Sequence, residues 1–155
     1  MDINEIKKSQ LSFANKEVDN SDFVTLIRFH ISNKNFAVDI KNVHEILESI
    51  DYTPYPEKLN HHIGILNVRG EIIPLIQFDK DYVFKKCDKF KIIILEFQTG
   101  KLNAIKTDKV QKFSQKSNFL IAGQTINLNG VPSFYIDESN FENIFKENSW
   151  QIIYK

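Results

Sequence analysis

Arg69 is the side chain in this sequence best suited to directed recognition. Of twenty basic residues only Arg28 and Arg69 are arginine, so lysine is the ordinary cation of the chain. Lysine is a point charge on a flexible stem, whereas arginine presents a planar fork that grips a carboxylate with two parallel bonds. Arg69 stands before Gly70, between the apolar runs Ile63–Val68 and Ile72–Phe78. A glycine there supplies the positive φ of a tight turn, so the spacing predicts a hairpin with the guanidinium at its tip. Three readings of the arginine follow: a solvated turn residue, an intramolecular partner of Glu45 or Glu71, or a contact to another molecule. The remaining reactive groups offer little. His61 and His62 are adjacent, point opposite ways on an extended chain and have no third ligand nearby in sequence, so no metal site is expected. Cys87, the single cysteine, has no neighbouring base to activate it and no partner for an internal disulfide. Glycine-rich phosphate loops, serine-nucleophile elbows and paired-carboxylate motifs are absent, so no enzyme activity and no cofactor are expected.

The elements that must hold these residues are mostly strands. Phe23–Ile31 and Phe36–Ile40 flank the turn Ser32–Asn35, and Phe90–Phe97 has an uninterrupted apolar middle that predicts burial on both faces. Between Lys41 and Ile50 the spacing is ambiguous: Val43, Ile46, Leu47 and Ile50 fit a helix, while Val43, Glu45 and Leu47 fit a strand. Pro54 and Pro56 predict a loop running to His61. Residues 1–22 read as a mobile tail, Ser139–Phe145 as a helical turn with a Ser139–Glu142 capping box, and residues 148–155 as an extension that forms an edge strand or docks on the other copy of the repeat. Hydrophobic residues make up 42%, including thirteen Phe, which is enough for a real interior in one domain or two small units. Twenty acidic residues balance the basic ones, which argues against nucleic acid or an anionic membrane as partner. The N-terminus lacks a signal-peptide pattern and no apolar run is long enough to span a bilayer, so a cytoplasmic location without membrane insertion is expected.

The sequence also repeats. Ala37, Val43 and Ile46 recur as Ala104, Val110 and Phe113, each 67 positions on. Asn67-Val68-Arg69-Gly70 recurs as Asn127-Leu128-Asn129-Gly130 at an offset of 60, and each copy then closes on an aspartate, Asp79 or Asp137. Copies at about 23–84 and 90–145, each of roughly five strands, predict an all-β fold of two small barrels packed together with short helical segments. Each copy alone would have a marginal core.

The run Gly64-Ile65-Leu66-Asn67-Val68-Arg69-Gly70-Glu71-Ile72-Ile73-Pro74 resembles the signature of the CheW family of chemotaxis coupling proteins. Asp39-Ile40-Lys41-Asn42-Val43-His44-Glu45-Ile46 resembles a second family segment, at the expected separation, and the similarity extends over about Phe23 to Lys146. The chain departs from the family at Gln77, at Asn103 and in a short 114–122 loop. The resemblance implies two Src-homology-3-like five-stranded barrels in a domain spanning 23–147. It also implies a non-enzymatic adaptor, held at receptor arrays on the inner face of the membrane. There it would join the cytoplasmic tip of a chemoreceptor to the regulatory domain of the histidine kinase CheA. By motif the receptor-facing residues would be Val43, Glu45, Gly64 and Arg69, with the receptor tip in a groove between the barrels; no motif identifies the kinase contacts. A docking module of a non-chemotactic two-component complex is the alternative. A small hydrolase or nucleotide-binding enzyme would show itself by turnover or bound phosphate, and a nucleic-acid-binding barrel by salt-dependent binding.

Overall fold

The computed structural model describes residues 23–48, 50–59, 61–78, 89–116, 120–121 and 123–142. They form eleven strands: β1 (Phe23–Ile31), β2 (Lys34–Asp39), β3 (Val43–Glu48), β4 (Thr53–Leu59), β5 (His62–Val68), β6 (Glu71–Ile76), β7 (Lys91–Gln98), β8 (Lys101–Thr107), β9 (Lys109–Lys116), β10 (Thr125–Leu128) and β11 (Val131–Ile136). A single 3-10 turn, Ile40–Asn42, leads into β3, with the Asp39 carboxylate accepting from the Lys41 amide at 2.9 Å. The ambiguous 41–50 segment is therefore a short turn followed by a strand. Its apolar residues reach two different cores, which accounts for the mixed spacing.

Two sheets result, a five-stranded one ordered β10-β11-β2-β1-β9 and a six-stranded one ordered β3-β7-β8-β6-β5-β4. Superposed through the repeat the two orders are the same: β10 matches β5, β11 matches β6, and β2, β1 and β9 match β8, β7 and β3. Both contain one parallel pair at the same place, β11 with β2 and β6 with β8. Those parallel pairs join different copies. The hairpin β1–β2 completes the barrel of β9–β11, and the hairpin β7–β8 completes the barrel of β3, β5 and β6. Neither barrel is thus built from one contiguous copy, which differs from the expectation of one copy per barrel; the two halves of the chain exchange hairpins.

Strand alternation explains how one chain fills three interiors. On β1 the residues Ile27, Phe29 and Ile31 face a shared seam while Leu26 faces the five-stranded barrel. On β7 the residues Ile93 and Leu95 face the seam and Ile92 and Ile94 the six-stranded barrel, all fully buried, as the unbroken apolar run predicts. β2, β8 and β11 divide in the same way. The seam is aromatic: Phe36 stacks on Phe29 at 5.4 Å between ring centres, and Phe78 meets Phe36 edge-on at 5.0 Å and Phe29 at 5.6 Å. Such pairs contribute about 0.5–1.5 kcal/mol each beyond the burial of their area.

Two local readings change. Thr53–Leu59 is a strand despite Pro54 and Pro56, because β4 is the outermost strand of its sheet, where a missing N–H interrupts no second ladder. It is the additional strand that makes this sheet six-stranded. At the C-terminal turn the cap is Asp137 rather than Ser139: its carboxylate accepts from the Ser139 amide at 2.8 Å, and its carbonyl from the Phe141 amide at 3.1 Å. Phe141 faces inward as expected. Asp79, Cys87, residues 1–22 and residues 143–155 lie outside the described residues.

Candidate functional site

The hairpin β5–β6 turns at Arg69 (φ 51°) and Gly70 (φ 85°), and β10–β11 turns identically at Asn129 (φ 53°) and Gly130 (φ 83°). Positive φ at both central residues matches the right-handed twist of the flanking strands. In each turn the leading asparagine braces the glycine amide: Asn67 Oδ1 accepts from Gly70 at 3.0 Å, and Asn127 Oδ1 accepts from Gly130 at 2.7 Å. Asparagine tolerates the left-handed region, whereas a long unbranched side chain such as arginine does so only against a steric penalty. The second copy therefore has a comfortable Asn-Gly turn, and the first has an arginine in a conformation it disfavours. Local strain of this kind concentrates where a side chain is needed for something else.

Arg69 spans to Glu45 with both ends of its fork. Nη1 donates to Oε2 at 3.1 Å and Nη2 donates to Oε1. Two strands, β7 and β8, stand between β3 and the β5–β6 hairpin in the sheet order, so the contact closes the mouth of the rolled-up barrel. The side chain of Arg69 is 69% exposed and that of Glu45 is 19% exposed. The hydrogen bond to Glu45, then the charge of Glu45, hold the guanidinium above its ordinary pKa, so it stays charged at any working pH.

A β-bulge sets up this geometry. Residues two apart on a strand normally share a face, yet Val43 is fully buried in the seam while Glu45 reaches the barrel rim. The register of β3 against β7 shifts between them: Val43 pairs with Leu95, and Glu45 with Ile94, so His44 is the extra residue that turns the chain over. Val43 is consequently a core residue, which corrects its place among the surface contacts; its side chain reaches no solvent. Gly64 is also buried, in β5, where an added Cβ would lie 2.5 Å from the Thr53 carbonyl oxygen, 2.8 Å from the Tyr52 ring and 3.1 Å from Pro54 Cα. It permits the close approach of β4 and makes no surface of its own. Of the four residues only Glu45 and Arg69 meet directly.

A cavity of about 460 Å³ lies elsewhere. Phe97, Phe141 and Ile76 line it over the end of the seam, with Lys101 and Glu142 paired at 3.1 Å on its rim. Ile76 is at the far end of β6 from the Arg69 turn, so the Arg69–Glu45 pair does not edge this cavity. Sequence reasoning also passed over Ile72. It is 59% exposed next to the turn, because its pairing with the outward Asn67 puts it on the outer face of β6. His61 is buried, with Nδ1 2.8 Å from the Gln77 carbonyl oxygen, while His62 is partly exposed at that cavity. Among the described residues no three His, Cys, Asp or Glu side chains gather as a metal site, and no helix is long and apolar enough to cross a membrane.

Fold and site together define a class: paired Src-homology-3-like β-barrels that present charged side chains where a hairpin turn meets a barrel rim. The CheW-like domain profile matches residues 25–134, and the chain belongs to the CheW-like domain family. The chemotaxis protein CheW of Helicobacter pylori is 36% identical over 70 residues, 45% of this chain and 42% of that protein. The CheW of Thermotoga maritima is 33% identical over 55 residues, 36% of each chain. The CheW of Treponema pallidum is 26% identical over 124 residues, 76% of this chain and 72% of that protein. The matches to the first two thus span less than half the length of those relatives. The scaffolding protein TtCheW of Thermoanaerobacter tengcongensis superposes with a TM-score of 0.63 at 23% identity, covering 74% of this chain and 84% of that one, which shows the shared fold.

Proposed function

We propose that this protein is a non-enzymatic adaptor of a chemotaxis signalling complex. In this reading it joins the cytoplasmic tip of a chemoreceptor to the regulatory domain of the histidine kinase CheA, inside the cytoplasm at receptor arrays. Residues 23–147 are the docking unit, 1–22 a tail and 148–155 an extension. The observation that carries the reading is the forked Arg69–Glu45 pair, held at an exposed barrel rim by an arginine in a disfavoured backbone conformation. An exposed ion pair is screened by water and salt and stabilises a fold little, so stability is a poor reason for this arrangement. A pre-fixed fork, in contrast, loses little side-chain freedom when a polar partner arrives. Glu45 and Arg69 are the direct contacts, and Val43 and Gly64 act behind them by anchoring β3 and spacing β4 from β5. The adaptor works by raising the effective concentration of kinase at receptor, which requires no chemistry of its own.

The test is a pull-down of receptor and kinase by the full-length protein and by Arg69→Ala, with Arg69→Lys as the charge-retaining control. Loss of receptor with kinase retained is expected for the alanine variant, and a weaker loss for lysine, which keeps the charge without the fork. Receptor recovery equal to that of the unmodified protein would remove Arg69 from the site.

A further inference from the structure

The second arginine occupies the corresponding mouth of the other barrel, and its setting there is unfinished. Arg28 lies on β1, on the same inner face as Leu26 and opposite Ala37. Its guanidinium stacks over Phe113 at 4.3 Å, Nη1 donates to the Leu128 carbonyl at 3.1 Å, and Nη2 donates to Gln111 Oε1 at 2.5 Å. Gln111 is the first inward-facing residue after Val110, just as Glu45 is the first inward-facing residue after Val43, the repeat partner of Val110. One mouth therefore holds an arginine gripping a glutamate, and the other an arginine gripping a glutamine. A cavity of about 260 Å³ opens beside Arg28, lined also by His30, Asn35, Lys109, Gln111 and Val131, with no acidic side chain in the lining among the described residues. Burial lowers the pKa of Arg28.

We infer that the mouth of the five-stranded barrel is a docking point for an acidic side chain, Asp or Glu, carried by a partner protein. The carboxylate would take the place that Gln111 fills now. A carboxylate adds the attraction of opposite charge and a second oxygen for a forked pair, neither of which the neutral Gln111 amide offers, so the exchange is favourable, and the exposed Gln111 side chain is able to yield. Lys109, paired across the strands with His30, adds a second positive charge at the entrance. The site is on the opposite barrel from Arg69 and does not depend on what docks there.

Titration of the full-length ¹⁵N-labelled protein tests this, with three probes: a capped tetraglutamate peptide, a capped tetraglutamine peptide and inorganic phosphate. Saturable shifts of the Arg28 side-chain Nε–H signal and of the Gln111 amide are expected with tetraglutamate at millimolar concentration. No saturable shift is expected with tetraglutamine, and phosphate should bind at least about tenfold more weakly, the loss of one good contact. Gln111→Glu supplies the carboxylate in cis, leaves Arg28 and its stacking on Phe113 in place, and should abolish the tetraglutamate response. Arg28→Gln should do the same, with its folding checked by thermal melting. The inference is overturned by an absent tetraglutamate response, by phosphate binding as tightly, or by undiminished binding to the folded Gln111→Glu protein.

Discussion

Gly64→Ala is the sharpest test of how the site is supported. In the middle of a strand, alanine is ordinarily better than glycine by about 0.5–1 kcal/mol, because the unfolded chain has less freedom to lose. Against that gain, the new Cβ would sit 2.5 Å from the Thr53 carbonyl oxygen and 3.1 Å from Pro54 Cα, and real Cβ contacts do not fall below 3.0 Å. Both are backbone atoms and cannot rotate aside; only the Tyr52 ring, at 2.8 Å, has that option. β4 must retreat from β5 by about half an ångström. It can do so without breaking a second ladder, because it is an edge strand. Overpacking of this kind costs about 1–3 kcal/mol, and the edge position argues for the middle of that range, leaving a net loss of about 1–1.5 kcal/mol. With a urea dependence of roughly 2 kcal/mol per molar, the unfolding midpoint should fall by about 0.5–0.8 M with an unchanged slope. Hydrogen exchange at the Tyr52, Thr53 and Tyr55 amides should quicken while that at Arg69 and Glu45 does not. A midpoint that stayed put or rose would show that β4 and β5 are not packed as closely as described.

Two further outcomes follow from the strand pairing and the buried phenol. Fragments divided between Lys86 and Cys87 should each give an unstructured circular dichroism and NMR signature, and a folded one when mixed, since each barrel takes a hairpin from the other half; a fragment folded alone would contradict the exchange. Burial, then Asp39, then Asp137 push the Tyr135 phenol from an ordinary 10.0 up to about 12. The unfolded chain loses that proton first and so binds fewer protons above pH 10, and stability therefore falls as pH rises through this interval. The unfolding constant should grow by up to about tenfold per pH unit between roughly 10 and 12, a dependence that Tyr135→Phe should flatten relative to the unmodified protein.

Much of this architecture was legible in the residues. The Asn-x-x-Gly repeat announced two equivalent turns, and the apolar run of β7 announced a strand buried on both faces. Arg69 is unusual as a cation and as a turn residue, and both of its suggested acids are near it in charge terms, with Glu45 making the bonds. The bulge at His44 left no trace. It shifts register by one residue, and the same letters Val-His-Glu-Ile read as a plain strand would have set Val43 and Glu45 side by side on one face. Because of that shift Ile46 lies in the seam while its repeat partner Phe113 packs in a barrel interior, so matching letters do not imply matching environments. The edge strand β4 was hidden by its prolines for a comparable reason: their tolerance depends on what lies alongside, and that is tertiary information.

The exchange of hairpins was illegible for a deeper reason. Alternation states which face of a strand is buried but not which strand lies next to it, and β1 with β2 shows the same pattern whichever barrel it completes. What selects the partner is the seam. Phe29 and Phe36 on the β1–β2 hairpin meet Phe78, just beyond β6, so the aromatic cluster ties the first hairpin to the end of its own copy across the boundary between barrels. At the same time Phe134 of β11 packs on Phe36, fixing the hairpin against the other copy. A hairpin held from both sides cannot leave one barrel without opening the seam. The same seam contains Val43, two residues from Glu45, so the rim contact is rooted in the part of the molecule that unites both barrels. The Arg69 turn is therefore connected, through Glu45 and β3, to the packing that both barrels share.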